Sequence, residues 1–497
     1  MHTLLAALPI GLVLVAMIGL RWSAAVAGLL GLAVALALAV GVFGLGSEPG
    51  PGPVAATGGA LAEALFTAAS ILWIVFPALC IYDLQARSGA FDTIRGRLTG
   101  LSDDPRLLAL LIAWFFALFM EGVAGFGTPV ALAAPILVSL GFPPVRAVTL
   151  AMIGHAAGVS FGAVGTPVLP QMAATGLSGL AIAPVTALLH ALLGWMLVGF
   201  LVRLAGPAPS LGHWGWGAAA ALLFFLPFLA LAAWVGHELP TLGGAILGGA
   251  GFAILLHRLR PAGRPPKAAA PDSVLHAALP YLVLLALVLA TRLIPPLREL
   301  LQDLIWEWSL FDRFAGRIEP LYHPGTLLLL AFLLGGLIQG RSAAQILAAA
   351  QAAGRRLLPV VVALVAMLGL SRLMVHADMI RFLAEAAAST GVLWPLFAPF
   401  VGVLGTFVTG SATSSNILFA EFQQTTASAL GLPAATMQGA QGFGAAVGNI
   451  VCPHNIIAAG ATVGLAGREG EVLRATALAC LLYAAAGGLL LMALVRL

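Results

Sequence analysis

Apolar runs of roughly twenty residues, the length a helix needs to cross a bilayer, alternate with short polar breaks along almost the whole chain. Such runs lie near 3–20, 23–45, 57–82, 180–202, 215–235 and 240–257, and again near 274–291, 324–340, 357–376 and 475–495. Two regions depart from this rhythm in the same way. Between 107 and 140 two apolar arms, each too short to cross alone, flank the glycines at 122–127, which predicts a re-entrant hairpin with Gly125-Phe126-Gly127-Thr128 near its tip. Between 391 and 430 two arms flank the polar cluster Gly410-Ser411-Ala412-Thr413-Ser414-Ser415-Asn416, which predicts a second hairpin. Each is followed by a broken run, at about 147–172 with interruptions at Gly162, Gly165 and Pro167, and at about 434–465 with interruptions at Gly448 and Pro453. Inside a bilayer every backbone polar group needs a partner, so non-helical backbone survives only within protein or around a water-filled cavity. Paired interruptions of this kind point to a transporter's binding site.

The chain also repeats itself. Gly-Thr-Pro-Val occurs at 127–130 and 165–168, and Phe161-Gly162-Ala163-Val164-Gly165 before Pro167 is echoed by Phe443-Gly444-Ala445-Ala446-Val447-Gly448 before Pro453. Placing the loop arginines in the cytoplasm lets the first hairpin enter from inside and the second from outside, with both termini external and about twelve crossings. The arginines of the insert at 292–322, near-neutral because of their acidic neighbours, count against that orientation. The expected fold is an all-α polytopic membrane protein with two inverted repeats, 1–204 and 274–497, each holding one re-entrant hairpin and one broken helix. Residues 205–273 supply two connecting spans and a proline-rich basic linker with Arg258, Arg260, Arg264 and Lys267. The insert at 292–322 reads as polar and amphipathic.

Composition agrees. Of 497 residues 61% are hydrophobic and 8% charged, where a soluble domain carries about 25% charged residues. The net charge of +4 reads as topology-setting arginine and not as a nucleic-acid surface, since no basic run carries interleaved aromatics. Cys80, Cys452 and Cys480 have neither metal nor disulfide spacing. The first apolar run lacks a basic leader and is read as a span, not a cleaved signal. Gly158-Val159-Ser160-Phe161-Gly162 has the Gly-x-Ser-x-Gly spacing but lies inside a broken apolar run and not on a strand-to-helix elbow; with no His-Glu-x-x-His and no Walker loop either, the expectation is a transporter driven by an ion gradient, without cofactor, and no enzyme.

Helix ends at mid-membrane offer N–H groups to an anion and freed carbonyls to a cation. The backbone at Gly125, Gly127 and Gly165, the hydroxyls of Thr128, Thr166, Ser411, Thr413, Ser414 and Ser415, and Asn416 are therefore candidates to hold a small carboxylate. Against this stands the ordinary use of Ser and Thr to satisfy backbone groups and pack at helix interfaces. Intramembrane ionisable groups are functional candidates: Glu121, His155 and His454 could each carry a coupled proton. Glu421 has an interhelical bond as an equal alternative, and Glu63, His190, Arg372, His376 and Asp378, near predicted span ends, read as interfacial anchors. No arginine lies within either break.

Glu121-Gly122 with Ala124-Gly125-Phe126-Gly127-Thr128-Pro129-Val130, Phe161-Gly162-Ala163-Val164-Gly165, Thr409-Gly410-Ser411 with Thr413-Ser414-Ser415-Asn416, and Val463-Gly464-Leu465-Ala466-Gly467-Arg468-Glu469-Gly470-Glu471 together closely resemble the bacterial L-lactate permease family. The resemblance runs through nearly the whole chain. It implies proton-coupled symport of L-lactate, and often glycolate, across the inner membrane. It also implies an elevator mechanism, in which a transport part holding both hairpins moves against a scaffold, a part through which such proteins often pair as homodimers. The chain departs from the family pattern at His155, where asparagine is expected, and over Asn449-Ile450-Val451-Cys452-Pro453-His454-Asn455, where the family carries a lysine. Asn449 and His454 therefore join the substrate-contacting candidates, and the safest substrate is a small 2-hydroxy monocarboxylate. A sodium-coupled carrier of another organic anion, with sodium on carbonyls near Gly165 and Gly448, and an anion channel are the alternatives.

Overall fold

The computed structural model describes all residues except 19, 21, 48–49, 126, 260–273, 466–467 and 496–497. Phe126, Ala466, Gly467 and the linker cations Arg260, Arg264 and Lys267 thus lie outside the described residues.

Helices α1 (His2–Ile18) and α2 (Ala24–Gly41) lead to α3 (Pro53–Arg87), a helix of 35 residues, and the short α4 (Ala90–Thr99). The first hairpin is α5 (Pro105–Val123) and α6 (Thr128–Ser139). The first broken helix is α7 (Pro144–Gly154) and α8 (Leu169–Thr175), and α9 (Gly179–Leu193) and α10 (Trp195–Leu204) follow. Then come α11 (Leu211–Trp234), α12 (Pro240–Leu259), α13 (Leu279–Leu293), α14 (Pro295–Gln302), and strands β1 (Trp306–Leu310) and β2 (Phe314–Ile318). Helix α15 (Pro324–Ile338) precedes α16 (Ala343–His376), 34 residues long, and the short α17 (Met379–Ala388). The second hairpin is α18 (Trp394–Thr409) and α19 (Ala412–Leu430), the second broken helix α20 (Ala434–Gly448) and α21 (Pro453–Thr462), and the chain closes with α22 (Glu469–Leu494). The succession long helix, ten-residue helix, hairpin, broken helix, closing span thus occurs twice. The two long helices, α3 and α16, pack along each other.

Among the described residues seven helices are long and apolar enough to cross a membrane, or up to eleven when each bent pair counts as one span. One of the seven is α5. The expectation that both arms of the first hairpin are too short is corrected for this arm, which has 19 residues, is buried throughout from Arg106 to Val123, and passes through a π-helical turn at Leu110–Phe116. The fold is all-helical as expected, with one local exception in the insert, where β1 and β2 pair antiparallel, Trp306 opposite Ile318. Alternating Trp, Ile and Phe with polar residues at 306–318 carry the period-two pattern of a strand pair, which a helical reading of the insert passes over.

Two apolar cores result. One joins α1, α2, α3 and α16 and reaches Ile417, Leu418 and Phe419 on α19. The other surrounds the hairpins and broken helices. Between helices in lipid, close backbone approach does much of the packing. A Cβ on Gly402 or Gly444 would strike backbone of the facing helix, so α18 and α20 touch main chain to main chain.

Candidate functional site

Both copies of Gly-Thr-Pro-Val fold alike. Gly127 and Gly165 sit in the left-handed region (φ 79° and 78°), which only glycine enters at little cost. The next threonine turns its hydroxyl back, Thr128 Oγ1 donating to Gly125 O at 2.7 Å and Thr166 Oγ1 to Ala163 O at 2.5 Å. The proline then starts a helix, where its missing N–H is no loss. Before Gly165, Ala163 and Val164 also adopt left-handed backbone (φ 43° and 55°). Non-glycine residues held there cost of order 1–3 kcal/mol each and cluster at functional sites. Across the second break the chain tightens into a 3-10 turn at Asn449–Val451, extends at Cys452, and restarts at Pro453.

Hairpin tips and breaks meet crosswise. Asn416, the fifth residue of α19, donates from Nδ2 to Pro167 O in the first break at 2.7 Å. Gly127, at the first tip, lies so close to Asn455 beyond the second break that an added Cβ would stand 2.7 Å from Asn455 Oδ1. Where these four segments converge they line a half-open cavity of about 20 Å³, room for roughly one water molecule. Glu121, Gly125, Gly162, Thr166, Ser411, Thr413 and Asn449 line it, together with Val159, Ala163, Pro167, Gly410 and Ala412.

The proposed site residues divide on this geometry. Glu121, Gly125, Thr166, Ser411, Thr413 and Asn449 reach the cavity; Gly127, Thr128, Gly165, Ser414, Ser415, Asn416, His155 and His454 do not line it. Gly127, Gly165 and Asn416 form the junctions just described. Thr128 and Thr166 spend their hydroxyl hydrogens on carbonyls, and Ser415 does the same toward Gly402 O. Ser411 is the N-cap of α19, its Oγ accepting from Ser414 N, which leaves its own hydrogen free to donate. Thr413 has no side-chain hydrogen bond among the described residues, so both hydroxyls can serve an anion. His454 is exposed and packs against Gly410.

Glu121 is 4% exposed and has neither a cation nor a hydrogen-bond donor beside its carboxyl group among the described residues. Gly162 makes room for it: a Cβ there would collide with Glu121 Oε1. His155, 1% exposed, places Nδ1 2.8 Å from Ala151 O and Nε2 3.1 Å from Asn449 Oδ1, and Asn455 Nδ2 donates to the same Oδ1 at 2.6 Å. Asn455 was missed in the sequence; only its place two residues after Pro453 marks it.

Other titratable residues have structural partners. His190 is buried in the core, a correction to its reading as an interfacial anchor. Tyr483 donates to its Nδ1, its Nε2–H serves Ser160 Oγ, and Ser160 donates on to Gly442 O, so one neutral tautomer satisfies the whole chain. Glu63 bonds His376 at 2.7 Å, and Arg372 approaches Glu421 on α19 at 3.7 Å. Glu238, in the turn before α12, pairs with Arg292 at 2.6 Å. Among the described residues no cluster of three metal-ligating side chains occurs.

A sequence model of the L-lactate permease family matches residues 2–497. The chain is 34% identical over 368 residues to the L-lactate permease of Streptococcus iniae, covering 71% of this chain and 77% of that protein. It is 29% identical to the glycolate permease GlcA of Escherichia coli (strain K12), over 84% of this chain and 83% of that one. In fold it is similar to the YdaH transporter of Alcanivorax borkumensis (TM-score 0.55, 16% identity, 94% of this chain and 98% of that one). It is similar also to MtrF of Neisseria gonorrhoeae (TM-score 0.52, 15% identity, 95% of each). The chain is a transporter and not an enzyme, a multi-pass protein of the bacterial inner membrane, and it belongs to the L-lactate permease family.

Proposed function

We infer that this protein is a proton-coupled symporter of a small 2-hydroxy monocarboxylate, lactate or glycolate, with the substrate carboxylate held between the two hairpin tips and the two breaks. The observation that carries this reading is the cavity itself. Free donors (Ser411, Thr413) and a lone acid (Glu121) face one small cavity formed by both halves. The relatives' names supply the substrate class. No arginine lines the cavity among the described residues, so the anion's charge falls to hydroxyl and amide donors and to a proton carried by Glu121 or His155.

The twice-occurring element succession and the crossed tip-to-break contacts support an inverted repeat, with α1–α4 and α13–α17 as scaffold and the hairpins, broken helices and α22 as transport part. Because about 20 Å³ admits no lactate, a tip must part for entry. The site would then travel with the hairpins against α3 and α16, as an elevator.

Radiolabelled L-lactate and glycolate uptake into proteoliposomes tests this, with an inward proton gradient and separately a sodium gradient. Uphill accumulation on the proton gradient alone is expected. Accumulation on sodium alone would transfer the coupling to sodium, and flux without uphill accumulation would make the protein a channel. Glu121→Gln keeps a neutral hydrogen-bonding group; if accumulation survives it undiminished, Glu121 is not the carrier.

A further inference from the structure

The ring of His155 is placed between two acceptors. Ala151 O, one helical turn back, can only accept, so Nδ1 carries a hydrogen. Asn449 Oδ1 can also only accept, and Asn455 Nδ2 already donates to it, so in this arrangement Nε2 carries a hydrogen too. That is the imidazolium form. His190 makes the contrast: its two nitrogens meet one donor and one acceptor, as a neutral ring requires. With its carbonyl oxygen turned to His155 and Asn455, Asn449 has its Nδ2 left over. That nitrogen has no partner among the described residues and is not among the sealed, unpaired atoms, and Asn449 lines the substrate cavity.

A neutral His155 needs the opposite arrangement. Nε2 becomes an acceptor, so the Asn449 amide must turn over to donate from Nδ2, which presents Oδ1 to the cavity instead. Asn455 must turn with it, since two amino groups would otherwise face each other. Its Oδ1, which is buried and unpaired beside Gly127, then comes round to accept from Asn449 Nδ2. Each arrangement is internally consistent, and they differ by one proton.

We propose that the His155–Asn449–Asn455 chain is the element that couples proton to substrate: protonated His155 makes Asn449 offer an N–H donor to the substrate carboxylate, and neutral His155 makes it offer a repelling carbonyl. The proposal rests on the reading of the cavity as a carboxylate site. The proton stays on His155 Nε2 during binding and no bond to substrate forms. Glu121 on α5, Tyr483 and Cys480 on α22, Cys452 and His454 at the second break, Arg203 on α10 and Arg146 on its own helix stand on the elements packed around the ring. None of them bonds or pairs with it; its polar partners are Ala151 O and Asn449. The chain joins the two breaks and, through Asn455, the first hairpin tip, so one protonation event reaches all three.

Two measurements on the purified full-length protein test it: L-lactate affinity against pH by intrinsic tryptophan fluorescence, and proton uptake on L-lactate binding with a pH-indicator dye. The wild type should lose affinity by up to about tenfold per pH unit on the alkaline side, the limit for one linked proton, and should take up a proton on binding. His155→Gln should still bind, with affinity changing less than about twofold over the same range, and with the proton uptake gone. Asn449→Ser, whose hydroxyl can donate whatever the state of His155, should bind with the pH dependence flattened, and it serves where His155→Gln fails to fold. Glu121→Gln should retain the wild-type pH slope. Proton uptake surviving in His155→Gln but lost in Glu121→Gln would overturn the proposal and leave proton symport standing on Glu121. L-lactate binding without any proton uptake in the wild type would overturn both.

Discussion

At the scale of single residues, the site is built by what is absent from side chains as much as by what is present. Gly162 has no Cβ, and that space holds the Glu121 carboxyl group. Gly162→Ala should therefore displace Glu121 at a cost of about 1–3 kcal/mol, the usual penalty for overpacking, and lower gradient-driven L-lactate uptake at least about tenfold. Size-exclusion profile and expression should stay near wild type, and uptake within about twofold of wild type would show that the Glu121 position does not matter. The hydroxyl cluster at 411–416 stood out in the sequence, but not the division of labour within it. Ser411 caps a helix, Ser415 and Asn416 bond backbone, and Thr413 is left facing the cavity. Composition shows that polar atoms sit at a break; which carbonyl each one satisfies depends on partners as far off as Pro167, and no local pattern encodes that.

At the scale of elements, the chain's own punctuation falls where α5 and α6, α7 and α8, α18 and α19, and α20 and α21 part, because glycine and proline act on backbone within a few residues. The β1–β2 pair and the buried Glu238–Arg292 pair escaped, the first because its strands are short, the second because its members are 54 residues apart. Glu238 lies outside the spans, in the turn between α11 and α12. Burial opposes its charge, yet His237 and the Arg292 guanidinium outweigh that penalty and hold its carboxyl below the usual range. A depressed carboxyl contributes stability above its unfolded value and loses it as pH falls through the folded one. The share of thermal stability in detergent that this pair supplies should accordingly fade progressively as pH falls through about 4.3 and below, and Glu238→Gln should flatten that acid limb. Arg292→Ala leaves the carboxylate buried alone and should cost about 3–5 kcal/mol in denaturant unfolding. A loss below about 1 kcal/mol would mean that water reaches the pair.

At the scale of the whole molecule, two apolar cores meet along α19, whose Ile417, Leu418 and Phe419 pack with α3 and α16 while its Asn416 reaches Pro167. Arg372 on α16 and Glu421 on α19 stand 3.7 Å apart across that boundary. If the hairpins move against the long helices, this pair must separate in each cycle. Cysteines at both positions, in a background lacking Cys80, Cys452 and Cys480, should be joined by a short thiol cross-linker. Uptake should then fall to background and return when a cleavable linker is cut. Full uptake in the cross-linked protein would fix α19 to α16 and rule out relative motion there. That each half of the sequence has its own interrupted pair of apolar arms and its own broken run was legible from glycine, proline and polar positions alone. The crossed pairing of tip with opposite break was not, because nothing in either half names its partner in the other.

The cavity also bears on energetics. No fixed cation lines the site among the described residues, so under the proposed proton symport the charge of the anion would be met by the proton that accompanies it. If one proton accompanies each carboxylate, the pair crosses with no net displacement of charge. The electric field, which does about 2.3 kcal/mol of work per elementary charge per 100 mV, then has nothing to act on. A potassium diffusion potential of either sign, set with valinomycin at zero pH difference, should leave lactate distributed equally across the vesicle membrane. Accumulation in the cell is then bounded by the pH difference alone, and the direction of net flow reverses when the carboxylate gradient exceeds it.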